Sequence, residues 1–405
     1  MRRIALLASA ACFVMPAAAL AQSAEEEPEK DSTFTLGQII VTADPPEGIA
    51  VTGETLTAEA IYAFNRNSLD DSVNLLPGVV GSNSGGARNE RLIFVRGFDR
   101  FQVPLSIDGI RVYLPYDNRL DFGRFLTPDL AEVQVAKGYV SVLDGPGALG
   151  GAINLVTTRP TREVEGEVRG TLNLDRGVDY AGYTAFGRIG TAQDKWYAQA
   201  SFARQFTDHW DLAGGFTPTA TEDGGARELG RTEDWRLNLK AGFTSNETDE
   251  YSLSYTRQEG SKNAPLHVTS PQAQAWNWPF WNLDSVYFLS TTAITEGVTL
   301  KTRAYLNSFD NLLRGFDDRT QTTQTLTAGR VFNSWYEDEA YGGSAQLDYA
   351  GGRNRIALAF HYRRDEHVEF SQVFPTGFIE PPQRSREDTY SLALEDTLQL
   401  TPTLA

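Results

Sequence analysis

From residue 163 onward, apolar and polar side chains alternate with a period of two. Val164, Gly166, Val168, Gly170, Leu172 and Leu174 take one face of the first run; Glu165, Glu167, Arg169, Thr171 and Asn173 take the other. Trp235, Leu237, Leu239, Ala241 and Phe243 oppose Arg236, Asn238, Lys240 and Thr244, and Ile356, Leu358, Phe360 and Tyr362 oppose Arg355, His361 and Arg363. This period belongs to β-strands whose two faces meet different surroundings. It predicts about ten strands, near 163–174, 181–190, 196–206, 233–243, 250–259, 284–294, 298–308, 336–350, 355–365 and 387–396.

The connectors sharpen the reading. Those at 191–195, 244–249, 295–297 and 351–354 are short, whereas 207–232, 260–283, 309–335 and 366–386 are long. Strict alternation of short and long after the first hairpin is what a transmembrane β-barrel requires, with trimmed turns at one rim and elaborate loops at the other. A soluble β-sandwich also alternates inside and outside but has no reason to trim every second connector. Trp196, Tyr197, Trp235, Tyr251 and Tyr255, near strand ends, suit an interface girdle.

Residues 91–160 read differently. Short β-branched runs, Arg91–Phe98, Pro104–Val112 and Val133–Gly138, are separated by glycine turns and predict a small mixed sheet. Asn67 or Ser68 caps a predicted short helix through Leu76, with Asp70 and Asp71 in its first turn and Pro77-Gly78 beyond its end. The glycine-rich run 145–151 lacks the lysine and hydroxyl of a phosphate cradle and reads as a turn feeding strand 152–157. Upstream, Leu36–Ala43 is β-branched at its centre and closed by Asp44-Pro45-Pro46. It fits an ordinary first strand or a segment that pairs with an exposed strand edge.

Export follows from the N-terminus: Arg2 and Arg3, an apolar core from Ile4 to Leu20, and Ala19-Leu20-Ala21 before Gln22 predict a cleaved signal peptide over residues 1–21. A lipoprotein centred on Cys12 is the alternative. Cys12 is the only cysteine, so the mature chain has neither disulfides nor cysteine-ligated metal. With Lys+Arg 36 against Asp+Glu 53, the net charge of -17 disfavours nucleic acid as a partner.

Leu75–Val79, Phe94-Val-Arg-Gly-Phe98, Ile107-Asp-Gly-Ile110 and Lys137-Gly138 through Asn154–Pro160 resemble, in order, the plug motifs of the TonB-dependent outer-membrane receptors. The resemblance implies a mixed α/β plug domain (47–160) followed by an antiparallel transmembrane β-barrel (161–405). The barrel is incomplete in this chain, since family members close twenty-two strands. The resemblance also marks 36–43, within a mobile leader of residues 22–46, as similar to the TonB box. Ile39, Ile40, Val41 and Thr42 would then pair with a TonB-like periplasmic energy transducer. The implied function is active import across the bacterial outer membrane, with a ferric siderophore as leading cargo and cobalamin or an oligosaccharide as alternatives. Its partners are the transducer, the small ligand and outer-membrane lipid.

For ligand capture the expected residues are Arg88, Arg91, Tyr113, Tyr116, Asp117 and Arg119 on plug loops, with Trp276, Trp278 and Phe280, beside Trp281, on connector 260–283. Guanidinium groups suit anionic chelate oxygens and aromatic rings suit planar ligand faces. Girdle or loop packing is the competing use for each aromatic. Arg96 and Arg159 are expected to hold the plug to the barrel through Glu165 or Glu167. No catalytic constellation is expected: Asp108 has no His or Ser beside it and reads as a turn carboxylate. His209, His267, His361 and His367 show no metal-ligand spacing, and neither cofactor nor metal is expected. A passive porin, which needs no plug, a secreted soluble binding module and, least of all, an enzyme are the rival classes.

Overall fold

The computed structural model describes residues 33–38, 53–84, 88–138, 140–270, 274–326 and 330–401. The signal peptide, most of the leader and the transducer residues Ile39 to Thr42 lie outside the described residues.

The plug begins with β1 (Gly53–Thr57), which runs into α1 (Ala58–Ala63); the Thr57 hydroxyl accepts from Ala60 N–H and caps the helix. The expected helix after Ser68 is α2 (Leu69–Ser72) prolonged by a 3-10 turn to Leu75. Ser68 donates to Asp70 at 2.7 Å instead of accepting from the helix backbone. β2 (Val79–Asn83) pairs with β3 (Arg91–Val95) in a two-stranded ribbon. The main plug sheet has the order β1–β6–β7–β4–β5, with β4 (Leu105–Ile107), β5 (Ile110–Val112), β6 (Leu130–Ala136) and β7 (Ala152–Thr157). Only β4 and β7 run parallel. Every residue of β7 is buried, as a central strand covered on both faces must be. The run 145–151 is indeed a turn, and β7 rather than a helix follows it.

The remaining strands form one antiparallel wall of successive hairpins: β8 (Glu165–Leu174), β9 (Tyr180–Ala192), β10 (Trp196–Thr207), β11 (Thr232–Thr244), β12 (Glu250–Ala264), β13 (Ala275–Thr295), β14 (Val298–Phe316), β15 (Phe332–Gly351) and β16 (Asn354–Val373). β16 then pairs with the short β17 (Phe378–Ile379) and with β18 (Gln383–Leu398). One edge each of β8 and β18 is unpaired among the described residues. Hydrocarbon does not tolerate such edges, so a working wall needs further strands there. Among the described residues no helix is long and apolar enough to cross a membrane.

All ten long strands fall where the alternation places them, but several are much longer than expected. β13, β14, β15 and β16 run to 21, 19, 20 and 20 residues. Residues 260–264, 275–283, 309–316, 332–335, 366–373 and 383–386 of the expected connectors are therefore strand. The outward faces explain the shortfall. Leu253, Val286, Phe288, Leu306, Leu347, Leu358, Phe360, Leu392 and Leu394 make an exposed apolar band. Beyond it the same faces carry Arg257 bonded to Glu259, Asp284 and the Arg364–Asp388 pair. About 9–11 residues of a tilted strand cross the membrane, so the excess stands in water and loses the apolar half of the pattern.

Candidate functional site

Plug and wall meet at several places, and two of these, one near each rim, gather the densest chemistry. Toward the rim of long loops, a cleft of about 480 Å³ lies between the plug and strands β12 to β15. Arg88, Tyr116, Asp117 and Arg119 line it from the plug, Trp278 and Trp281 from β13, and Tyr336 from β15. The Tyr116 ring sits 4.9 Å from both His367 and Tyr336, forming a three-ring cluster that is half open to solvent at Tyr116. Arg88 lies 5.8 Å over Trp276. Arg88 and Arg119 have local partners, Glu90 at 3.7 Å and Asp117 at 2.9 Å, but keep 33% and 43% of their side chains exposed.

The other cations of this cleft are occupied in structure. Lys262 of β12 meets Asp121 at 2.5 Å, and Arg124 bridges Asp121 (3.5 Å) and Asp234 of β11 (3.3 Å) while lying 5.2 Å over Trp281. Burial pushes the Asp121 carboxyl up, but Lys262 and Arg124 outweigh it and hold the group below its usual range.

Several expected capture residues are placed elsewhere. Arg91 lies 3.9 Å from Asp70 and gives its backbone N–H to Asp121, so it braces the plug. Tyr113 is held between Arg111 (5.2 Å) and Arg363 (4.4 Å) in a neighbouring cleft. Trp276, Trp278 and Phe280 belong to β13 rather than to a loop. Trp278 is buried among Ala264 and Leu313, and Trp281 meets plug residue Phe125 edge-on at 6.0 Å. Phe280 is on the opposite face of β13 from Trp281, turned from the plug by strand alternation.

Toward the rim of short turns, Asp108 is fully buried at the tip of the β4–β5 hairpin, where it and Gly109 both have positive φ. Its carboxylate accepts from Thr157 N–H (2.8 Å), the Thr157 hydroxyl (2.7 Å) and the hydroxyl of wall residue Tyr287 (2.7 Å). Lys240 of β11 approaches it to 3.5 Å and donates to Thr158 O at 3.2 Å. The same ammonium lies 3.2 Å from the centre of the buried Phe34 ring. Asn154 donates to Gly37 O (2.8 Å), and Gln38 to Glu132 (2.8 Å). A Cβ on Gly37 would stand 2.6 Å from Asp108 Oδ1, so only glycine passes here. Residues 33–38 are thus clamped onto the joint between plug and wall. A second joint, Arg236 of β11 with Asp129 of the plug, is equally buried.

Asp108 is therefore more than a turn carboxylate, and no local signal in the chain announces its distant partners. The expected plug–wall contacts are redistributed as well. Arg159 pairs with Glu250 of β12 at 3.1 Å. Glu165 and Glu167 are engaged by Arg188 of β9 at 3.4 and 3.3 Å, because neighbouring strands bring that guanidinium to them. Arg96 sits in the positive-φ turn after β3, its Nη1 3.6 Å from where a Cβ on Gly138 would begin.

A plug held inside an antiparallel wall by buried ionic joints defines a class, and the comparisons agree with it. The TonB-dependent Receptor Plug Domain family matches residues 46–152. The vitamin B12 transporter BtuB of Vibrio vulnificus (strain CMCP6) is 29% identical over 223 residues, covering 53% of this chain and 34% of that one. Among solved structures, the copper transporter OprC superposes with a TM-score of 0.68 at 14% identity, covering 86% of this chain and 52% of its own. The ferric enterobactin receptor PfeA of Pseudomonas aeruginosa superposes with a TM-score of 0.61 at 16% identity, covering 86% and 56%. At such identities the likeness shows the fold. The chain thus resembles the TonB-dependent receptors of the outer membrane, through a matched plug domain and a wall of the same fold. It spans about a third of the BtuB relative and about half of these solved structures.

Proposed function

We propose that the chain serves TonB-dependent import of a scarce ligand, with a ferric siderophore as cargo. The observation that carries this is the outer cleft, where the half-exposed guanidinium groups of Arg88 and Arg119 flank the Tyr116–Tyr336–His367 rings. Anionic chelate oxygens match the first and a flat catecholate the second. Tyr116, Arg88, Arg119, Asp117 and Trp276 are the proposed capture residues, with Tyr113 in the adjoining cleft. Ile39 to Thr42 are proposed to pair with a periplasmic transducer of the TonB kind. Cobalamin is the second reading, favoured by the sequence likeness to BtuB.

The test titrates the purified receptor in detergent with a ferric catecholate complex and, separately, with cyanocobalamin. The expected result is ferric-complex binding that weakens at least about tenfold in an R88A/R119A double variant, the size of loss that one charge-assisted contact supplies. Binding of cyanocobalamin alone supports the second reading. Binding of neither ligand removes the capture role from the cleft.

A further inference from the structure

The histidines have no metal-ligand spacing in the chain, yet the wall folds one of them into a ligand set. His209 opens the loop between β10 and β11, and Asp175 opens the turn between β8 and β9. These two residues and Asp211 each present one ligand atom within 4.8 Å of the others, all partly buried. We propose that Asp175, His209 and Asp211 bind a first-row transition dication, of the zinc or copper kind, at the outer rim. The inference is independent of the cargo.

Three features carry it. The first is the orientation of the imidazole. His209 Nδ1 contacts Asp208 Oδ2 at 2.9 Å, an arrangement that fixes the ring and leaves Nε2 as the coordinating atom. Nε2 is shielded from solvent, has no hydrogen bond of ordinary length, and faces Asp175 Oδ2 at 3.6 Å. Ligand atoms about 2.0–2.1 Å from a tetrahedral ion stand about 3.4 Å apart, so this pair is already near the spacing that one ion spans.

The second feature is anchoring. Asp175 Oδ1 accepts from Asp179 N–H at 2.7 Å, and Asp211 Oδ2 accepts from Arg176 N–H at 2.7 Å. Each carboxylate is thereby fixed through one oxygen and keeps the other for a cation. Asp208 N–H donates to Ala181 O at 2.8 Å, which seats the start of the loop against β9.

The third is charge. Asp175, Asp208 and Asp211 converge on one histidine, and among the described residues the guanidinium paired with them is that of Arg176, whose Nε is 3.9 Å from Asp211. A dication offsets the remaining negative charge. One imidazole nitrogen with two carboxylate oxygens suits zinc or copper, whereas calcium takes an all-oxygen shell of six to eight ligands. Bound there, the ion would tie the first outer turn to the long second loop.

The test uses the untagged receptor, extracted from outer membranes in detergent and stripped with chelator. Zinc is titrated at pH 7.5 by calorimetry in a buffer that does not bind metal. The expected result is one site of micromolar or tighter affinity, weakened at least tenfold by H209A and by D211N. Copper should quench Trp210, beside His209, and the quench should vanish in W210F. D208N, which frees the ring without removing a ligand, should weaken zinc less than H209A does. Zinc binding unchanged in H209A overturns the proposal and leaves an ion pair at the site. Equal competition by calcium overturns the choice of metal.

Discussion

Asp108 shows how a short hairpin tip becomes a structural joint. Four donors converge on one buried carboxylate, two from the plug at Thr157 and two from the wall at Tyr287 and Lys240. Removing one member of a buried charge pair strands the other, at a cost of about 3–5 kcal/mol. K240M should therefore loosen plug from wall, read as protease cleavage of the plug at lower urea than in the wild type. A D108N/K240M double variant should recover part of the loss; strict additivity would show that the two charges do not interact. Two further plug aspartates carry opposite signs against pH. Asp121 has its folded pKa depressed, so its contribution is present above the unfolded value near 3.8 and is lost as pH falls through the folded one. Asp144 is pushed up to about 6 by burial, against the pull of Arg303. A raised acid favours the protonated fold, so its penalty grows from pH 4 to pH 6 and stays constant above. D144N should thus stabilise the plug at pH 7.5 and be neutral at pH 3.5, while D121N should destabilise it at pH 7.5. Urea midpoints of plug protection at the two pH values check both signs.

At the scale of elements, the wall is two sheets in one: a lipid-facing band and a water-facing extension. Leu358 and Phe360 are 43% and 46% exposed, whereas Arg236 and Lys240 are 1% and 3% exposed against the plug. L358R should cost about 2–4 kcal/mol if Leu358 stands near the membrane midplane. The measurement is refolding of the receptor into lipid vesicles, and an unaffected L358R would remove Leu358 from the lipid face. This band was legible in the sequence because lipid on one side and a packed interior on the other impose a strict period of two. The extensions of β13 to β16 were not, since beyond the apolar band the outward face carries polar residues such as Asn282, Asp310 and Glu366, which water accepts, and the contrast is erased. Within the cleft, Arg88, Tyr116, Asp117 and Arg119 were readable as loop residues with capture chemistry. The structural duties of Arg91, Trp278 and Trp281 were not, because each depends on a partner at least twenty residues away. The Asp108 joint was hidden for the same reason, its partners lying on β7, β11 and β13.

For the whole molecule, the clamp on residues 33–38 gives the import proposal a mechanical content. The proposed transducer segment, Ile39 to Thr42, begins one residue after Gln38, which is bonded to Glu132. Tension applied there first loads Gln38 and the Asn154 bond to Gly37 O, then draws Phe34 from beneath Lys240. Force would thus reach the joint between plug and wall before it reaches the plug sheet, whose central strand β7 is wholly buried. Pairing with the transducer by strand addition uses backbone N–H groups, which proline lacks. I40P should abolish uptake of radiolabelled ligand yet leave surface binding intact, because the outer cleft lies at the opposite rim. I40A should be much milder, since it keeps the backbone donor. F34A acts on the clamp alone: it should leave surface binding unchanged and increase protease access to residues near 38. Equal loss of binding and uptake in I40P would mean that the segment is a structural strand of the plug, and normal uptake would end the coupling assignment.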